Sequence, residues 1–163
     1  MTHTIRPYQH ADLARLHAIN RASEPGVGAV SQDALAAIIS EGDCFVTENA
    51  EGMISGFLLT LGPDAAYASK NYHWFDEHYE NYVYVDRIAV APEARGNGLG
   101  AALYKHAFQH YASTALLIGC EVNTAPPNPG SMRFHTRAGF KPVGEQTFRD
   151  DYAVSYLARR LSS

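Results

Sequence analysis

The chain has 163 residues, of which 46% are hydrophobic and 18% charged, and its net charge is −4. These values are typical of one globular domain with its own core, so we expect a single domain over residues 1–163. The negative charge argues against a nucleic-acid partner, which usually requires a basic face. No run is apolar enough to span a bilayer and no signal-peptide pattern opens the chain, so we expect no membrane partner and a cytoplasmic location. Cys44 and Cys120 lie in predicted strands, which favours free buried thiols.

The first part of the chain alternates strand and helix signals. A short strand is predicted at residues 5–7. Two amphipathic helices follow from the spacing of apolar side chains, which are Leu13, Leu16 and Ile19 in the first and Leu35, Ile38 and Ile39 in the second. Ser31 can cap the second helix, and Gly42 can end it. Residues 44–47 and 54–61 then predict a hairpin.

The segment 67–84 combines aromatic rings with carboxylates. Its aromatic residues are Tyr67, Tyr72, Trp74, Phe75, Tyr79, Tyr82 and Tyr84, and its acidic residues are Asp76, Glu77 and Glu80. Rings and carboxylates together suit a cationic amine. Exposed aromatic residues are also common at protein interfaces, so the alternative is a packed surface loop or a homodimer contact.

A buried strand followed by a glycine-rich loop is the most informative feature of the chain. The apolar, β-branched run at residues 83–90 predicts the strand, which Pro92 ends because proline cannot donate to a further ladder. The loop is Arg95-Gly96-Asn97-Gly98-Leu99-Gly100, and its glycines let the backbone approach a ligand closely. A helix beginning near Leu99 would direct free N–H groups and its positive dipole end at that ligand. Phosphate or pyrophosphate is the expected occupant.

Spacing separates three kinds of phosphate-binding loop. A P-loop needs Lys and Ser or Thr directly after its last glycine, whereas Ala101 and Ala102 follow Gly100. The dinucleotide fingerprint needs glycines at its first, third and sixth positions, and here they fall at the first, third and fifth. A third pattern is Arg or Gln, two residues, Gly, one residue, then Gly or Ala. Arg95, Gly98 and Gly100 match it.

A second landmark follows the next buried strand, which is predicted at residues 115–122. A turn-rich break at residues 123–129 leads to a short helix that Gly139 closes. This landmark consists of Asn128, Ser131, Phe134 and the pair Gly139-Phe140. With both landmarks in this order, the sequence resembles the GNAT superfamily of acyl-CoA-dependent N-acyltransferases.

The resemblance extends over most of the chain and implies a fold. Residues 143–148 and 152–157 predict a closing pair of strands. The predicted order is then strand, two helices, strands, helix, strand, helix and strands, which is the order of the GNAT fold. We therefore expect an α/β (α+β) protein with a mixed, mainly antiparallel sheet and helices on both of its faces.

The resemblance also implies acetyl-CoA as cosubstrate and no metal. In the family, the glycine loop holds the pyrophosphate, and main-chain groups of the preceding strand hold the pantetheine arm and polarise the thioester. The residues expected to bind the cosubstrate here are Ile88, Ala89, Val90, Arg95, Gly96, Asn97, Gly98, Leu99, Gly100, Asn128, Ser131 and Phe134.

Two residues are the candidates for proton transfer. Many family members carry tyrosine directly after the aromatic residue of the second landmark, where this chain has His135 after Phe134. Imidazole can donate a proton near neutrality, so His135 is the candidate acid for the leaving thiolate; the alternative is an ordinary helix histidine. Glu121 is the candidate base, slightly favoured over a route through water. Asp86 and Tyr84, on the strand before the loop, could face the same cleft.

The leading hypothesis is an N-acetyltransferase. It would move an acetyl group from acetyl-CoA to a primary amine of a small molecule, an amino acid derivative or a protein, by direct attack on the thioester. The alternative is a non-catalytic acyl-CoA-binding or sensing protein of the same fold, because His135 departs from the family pattern and no motif assigns the base. A different phosphate-containing ligand is a third hypothesis, since the glycine loop does not specify the rest of the molecule.

Overall fold

The computed structural model describes residues 2–161, and within them seven strands form one sheet. The strands are β1 (His3–Pro7), β2 (Asp43–Asn49), β3 (Ile54–Leu61), β4 (Tyr82–Val90), β5 (Leu117–Ala125), β6 (Lys141–Arg149) and β7 (Tyr152–Arg160). Their order across the sheet is β1-β2-β3-β4-β5-β7-β6. Neighbouring strands are antiparallel, except that β4 and β5 are parallel. The predicted mixed, mainly antiparallel sheet is confirmed.

Five α-helices are described with this sheet and cover both of its faces. They are α1 (Leu13–Ala22), α2 (Gln32–Ser40), α3 (Lys70–His78), α4 (Leu99–Tyr111) and α5 (Pro129–Arg137). One apolar cluster joins the sheet to α1, α2 and α3, and a second joins it to α4 and α5. Strand β3 is buried along its whole length because its side chains alternate between the clusters: Phe57 packs in the first and Leu58 in the second.

The helix boundaries follow the local signals in the sequence. The Ser31 hydroxyl accepts a hydrogen bond from the Ala34 amide at 3.1 Å and caps α2. Gly139 follows α5 with a left-handed φ of 95°, as a C-terminal glycine should. Gly42 was expected only as the glycine that ends α2, but its lack of a side chain also allows a close contact with β3. A Cβ there would lie 1.9 Å from the Thr60 carbonyl oxygen, so close approach of two backbones requires this glycine.

For the aromatic segment, the alternative of a packed surface loop is wrong, while the acceptor site and the homodimer contact stay predictions. Residues Lys70–His78 form α3, whose Tyr72 and Phe75 are fully buried. Phe75 occupies space left by Gly119 of β5, where a Cβ would lie 2.2 Å from the phenyl ring. Trp74 stacks on Tyr156, with ring centroids 4.2 Å apart. Much of the segment is therefore core, which no apolar periodicity in the sequence had indicated.

The central strands separate where the site lies. Strands β4 and β5 pair from Tyr82 to Tyr84 and no further within residues 2–161. The end of β4 is therefore paired on one side only, with β3, and its other edge has no partner among the described strands. A bulge in the β3–β4 pairing leaves Asp86 as the extra residue, because Leu59 faces Arg87 and Thr60 faces Val85.

None of the described helices is long and apolar enough to cross a membrane.

Candidate active site

A cleft with a volume of about 950 Å³ runs from the end of β4 to the helices that follow it. All the residues expected to bind the cosubstrate line it except Asn97. The Asn97 side chain instead donates to the Ala94 carbonyl at 2.9 Å, which ties the loop to the turn before it. The two sequence landmarks lie far apart in the chain, but in the folded protein they line one continuous cleft.

The glycine loop presents main-chain donors to this cleft. Gly96 and Gly98 have φ angles of 80° and 74°, in the left-handed region that a side chain disfavours. Gly98 offers no side chain to cap α4, and the first helical hydrogen bond runs from the Ala102 amide to the Gly98 carbonyl. The amides of the first turn are thus free for an anion. Arg95 stands exposed beside them, with its Nε donating to the Val90 carbonyl at 3.1 Å.

The second landmark builds the opposite wall. The Asn128 side chain accepts a hydrogen bond from the Ser131 amide at 3.2 Å and caps α5, so its amide oxygen is already used within the protein. Helices α4 and α5 approach closely at Gly100, where a Cβ would lie 2.9 Å from the Phe134 ring. Gly100 of the first landmark therefore leaves the space that the Phe134 ring of the second landmark occupies.

A smaller cavity of about 100 Å³ adjoins the cleft, and we call it the inner cavity. It is lined by Gly26, Val27, Gly28, Val85, Asp86, Arg87, Ile88, Tyr104, Cys120, Glu121, Ser131 and His135. Ile88, Ser131 and His135 line both spaces, so the two meet at these residues. Both candidate groups for proton transfer, Glu121 and His135, lie on the wall of the inner cavity.

His135 is 4% exposed and its hydrogen bonds define its tautomer. Nδ1 lies 2.8 Å from the Ser131 carbonyl oxygen, which can only accept, so Nδ1 carries the hydrogen. Burial lowers the pKa of His135, and its hydrogen bond to Ser131 only partly opposes this, so the ring is neutral at pH 7. Nε2 then accepts from the Tyr104 hydroxyl, 2.7 Å away. The candidate acid is thus one half of a buried pair with Tyr104.

Glu121 is held beside the inner cavity by a tyrosine of the neighbouring strand. The Tyr84 hydroxyl donates to Glu121 Oε1 at 2.5 Å. Burial, with a smaller contribution from the negative charge of Asp86, raises the pKa of Glu121 to about 8, although the Tyr84 hydrogen bond lowers it. A carboxylate with a pKa near the working pH is suited to accept a proton.

The Asp86 bulge also turns a buried ion pair towards the inner cavity. Arg87 Nε donates to Asp86 Oδ2 at 2.7 Å. Consecutive residues of a regular strand point to opposite faces, so the bulge allows both side chains to line one space. The residue types predicted neither Arg87 nor Tyr104 as site residues. Tyr104 lies on α4, and its partner His135 is distant in sequence.

The two thiols do not provide a nucleophile. Cys44 and Cys120 are free and buried, as predicted. Burial raises the pKa of Cys44 to about 12 and that of Cys120 well above its ordinary value, so both stay protonated. Among the described residues, no three His, Cys, Asp or Glu side chains are arranged to hold a metal ion.

Solved structures with the same fold include several acetyltransferases. The structure of Ard1 from Thermoplasma volcanium superposes with a TM-score of 0.78 at 19% identity, covering 98% of each chain. A phosphinothricin acetyltransferase from Sinorhizobium meliloti, in complex with AcCoA, has a TM-score of 0.74 at 22% identity and covers 99% of this chain and 90% of that one. At these identities the likeness establishes the fold alone.

Two sequence comparisons add the family. Mycothiol acetyltransferase from Actinosynnema mirum is 35% identical over 85 residues, which are 52% of this chain and 28% of that protein. The chain thus spans little more than a quarter of this curated relative. The sequence profile described as "Acetyltransferase (GNAT) family" matches residues 13–140, most of the chain. The protein therefore belongs to the GNAT acetyltransferase family.

Proposed function

We propose that the protein transfers an acetyl group from acetyl-CoA to a primary amine by direct attack of the amine on the thioester. The observation that carries this proposal is the junction of two spaces. A long cleft with anion-binding amides opens, at Ile88, Ser131 and His135, into a small cavity that holds a carboxyl group with a raised pKa. A donor and an acceptor can meet there.

The cleft fits the two ends of acetyl-CoA. The free amides of the first turn of α4 and the Arg95 guanidinium suit the pyrophosphate. The edge of β4 at Ile88, Ala89 and Val90 has no partner among the described strands, although the Val90 carbonyl accepts from Arg95 Nε. Main-chain groups of this edge suit the amide groups of the pantetheine arm and can polarise the thioester carbonyl. The acetyl group would then lie where the cleft opens into the inner cavity.

Glu121 acts as the base in this proposal. Its ionised carboxylate removes a proton from the acceptor ammonium, directly or through one water, and frees the nitrogen lone pair. The amine then attacks the carbonyl carbon; the C–N bond forms, the C–S bond breaks and the nitrogen releases its second proton to water. CoA leaves as a thiolate.

Tyr104 and His135 stabilise that thiolate together. The Nδ1 hydrogen of His135 is bound to the main chain, so the Tyr104 hydroxyl hydrogen is the one the pair can turn towards sulfur. Burial raises the pKa of Tyr104 further above that of a thiol, about 8.5, so full proton transfer from Tyr104 is uphill. We assign the pair a hydrogen bond to the thiolate, while the proton itself comes from water.

The experiment separates binding from turnover. Thermal unfolding is measured with acetyl-CoA, CoA, ATP and NAD, and CoA release is then followed with a panel of amines. The proposal expects stabilisation confined to the CoA compounds and steady CoA release with at least one amine. Binding without turnover would favour an acyl-CoA-binding protein, and a stronger response to ATP or NAD would contradict the donor assignment.

The thiolate step is tested by substitution. Tyr104→Phe and His135→Phe should each lower kcat without weakening acetyl-CoA binding. Full turnover of both variants at every pH would remove the pair from the mechanism.

A further inference from the structure

Arg87 is a buried cation, and one of its nitrogens, Nη2, donates to no carboxylate or carbonyl oxygen of the described residues. The residue is 9% exposed. Its Nε donates to Asp86 Oδ2 at 2.7 Å, and its Nη1 donates to Asn20 Oδ1 at 2.9 Å and to the Gly28 carbonyl at 3.2 Å. A guanidinium has five N–H donors, and these three bonds use the Nε hydrogen and Nη1 but not Nη2.

Arg87 lines the inner cavity. A further partner is the Tyr67 hydroxyl, which interacts with both Arg87 and Asp86; burial and the charge of Asp86 raise the pKa of Tyr67, so it is a neutral neighbour. Within residues 2–161, no carboxylate or carbonyl oxygen forms a hydrogen bond with Arg87 Nη2. A carboxylate that enters the cavity can therefore accept hydrogen bonds from Nη2 that no anion of the protein already takes.

Two carboxyl groups line the same cavity. Asp86 binds Arg87 through Oδ2 and also interacts with Tyr67, whereas Glu121 accepts from the Tyr84 hydroxyl at Oε1. One small space thus offers a guanidinium and two carboxyl groups, which is the complement of a molecule carrying both a carboxylate and an ammonium group.

We propose that the acceptor is a small free amino acid, whose carboxylate binds Arg87 Nη2 and whose amino group faces Glu121. This inference rests on the proposed acetyl transfer and specifies its acceptor. Asp86, Asn20 and the Gly28 carbonyl hold the Arg87 guanidinium in one orientation, so a carboxylate that binds it is fixed in place. A protein N-terminus has no carboxylate beside its amine and would form no ion pair with Arg87.

The size of the inner cavity agrees with a small acceptor. Its volume of about 100 Å³ holds several waters and therefore a molecule of few non-hydrogen atoms. One wall is formed by the exposed residues Gly26 and Gly28, which present little side-chain bulk. We therefore expect glycine, alanine and serine to be better acceptors than large amino acids.

The first test uses the unmodified protein. CoA release is measured at saturating acetyl-CoA with glycine, L-alanine and L-serine, each paired with its α-amide, across pH so that the different basicities of the amines are separated. The proposal expects kcat/KM for each accepted acid to be at least tenfold above that of its amide. Equal or faster turnover of the amides, or turnover of peptide amines alone, overturns it and leaves acetyl transfer intact. If acetyl-CoA stabilises the protein but no acid is acetylated or adds stabilisation, the inference is also overturned. Absence of any acetyl-CoA binding would instead overturn the proposed function.

The second test changes Arg87 itself. Arg87→Gln should raise KM for the accepted acid at least tenfold while changing KM for its amide less than threefold, with the acetyl-CoA-dependent stabilisation retained. Arg149→Gln, which breaks an exposed ion pair elsewhere, is the matched control. Equal losses for acid and amide would assign Arg87 a structural role and overturn the inference. If Arg87→Gln does not fold, the acid and amide comparison in the unmodified protein still decides.

Discussion

Replacing Glu121 with glutamine is the most direct test of the catalytic assignment. Glutamine keeps the shape of the side chain and an oxygen that can accept from Tyr84, but it cannot take a proton. With a pKa of about 8, about a tenth of Glu121 is ionised at pH 7 and about nine tenths at pH 9. We therefore expect kcat/KM of the unmodified protein to rise about tenfold over this range through Glu121 alone.

The assay is CoA release as a function of pH. A general base contributes about 100-fold or more to rate, so Glu121→Gln should lower kcat/KM at pH 8 by at least that factor. The rise of kcat/KM with pH that Glu121 causes should disappear, so that only the ionisation of the amine itself still changes the rate. Glu80→Gln, which changes an exposed carboxylate, is the control. A Glu121→Gln variant that keeps a third of the activity and an unchanged pH profile would refute Glu121 as the base and favour a water-mediated route.

The same substitution has a second consequence, for stability. The folded protein keeps the Glu121 proton up to about pH 8, whereas the unfolded chain releases it near the ordinary value of 4.5. Between these values the folded state binds more protons, so the contribution of Glu121 to stability falls as pH rises. Glu121→Gln should therefore raise Tm at pH 8 by about 2 °C or more, corresponding to about 1 kcal/mol, with little gain near pH 4.5. A lower Tm at pH 8 would contradict the raised pKa.

Three further substitutions test other parts of the site and core. Tyr84→Phe removes the hydrogen bond that lowers the pKa of Glu121, so the ascending limb of the pH–rate profile should move to higher pH; an unchanged limb would separate Tyr84 from the base. Gly98→Ala places a side chain at a φ of 74°, which should cost about 1–2 kcal/mol and weaken acetyl-CoA binding, while Gly62→Ala, with open space around it, should do neither. Phe75→Ala should lower the free energy of unfolding by about 3–5 kcal/mol without a specific rise in amine KM, because Phe75 is buried and lines neither space; a selective KM effect in a stable variant would return it to the acceptor site.

Features that depend on short stretches of chain were predicted well. The capping serine Ser31, the left-handed Gly139 and the glycines of the loop depend on neighbours a few residues away, and local conformational preferences apply to them directly. The alternation of helices and strands followed from the same short-range patterns. The family resemblance then ordered these elements into one sheet, which the structure confirms.

Features that depend on distant residues were decided by the tertiary structure alone. Glu121 meets Tyr84 across two strands, Tyr104 meets His135 across two helices, and Asn20 orients Arg87 from another part of the chain. The aromatic segment was misjudged for the same reason, since the space for Phe75 is supplied by Gly119 on a different strand. The sequence by itself determined the strands and the helices other than α3, and where a glycine-rich loop suited to an anion lies. Only the packed structure determined which side chains lose water and which charges face each other, because desolvation and Coulomb interactions depend on distances in space rather than on separation along the chain.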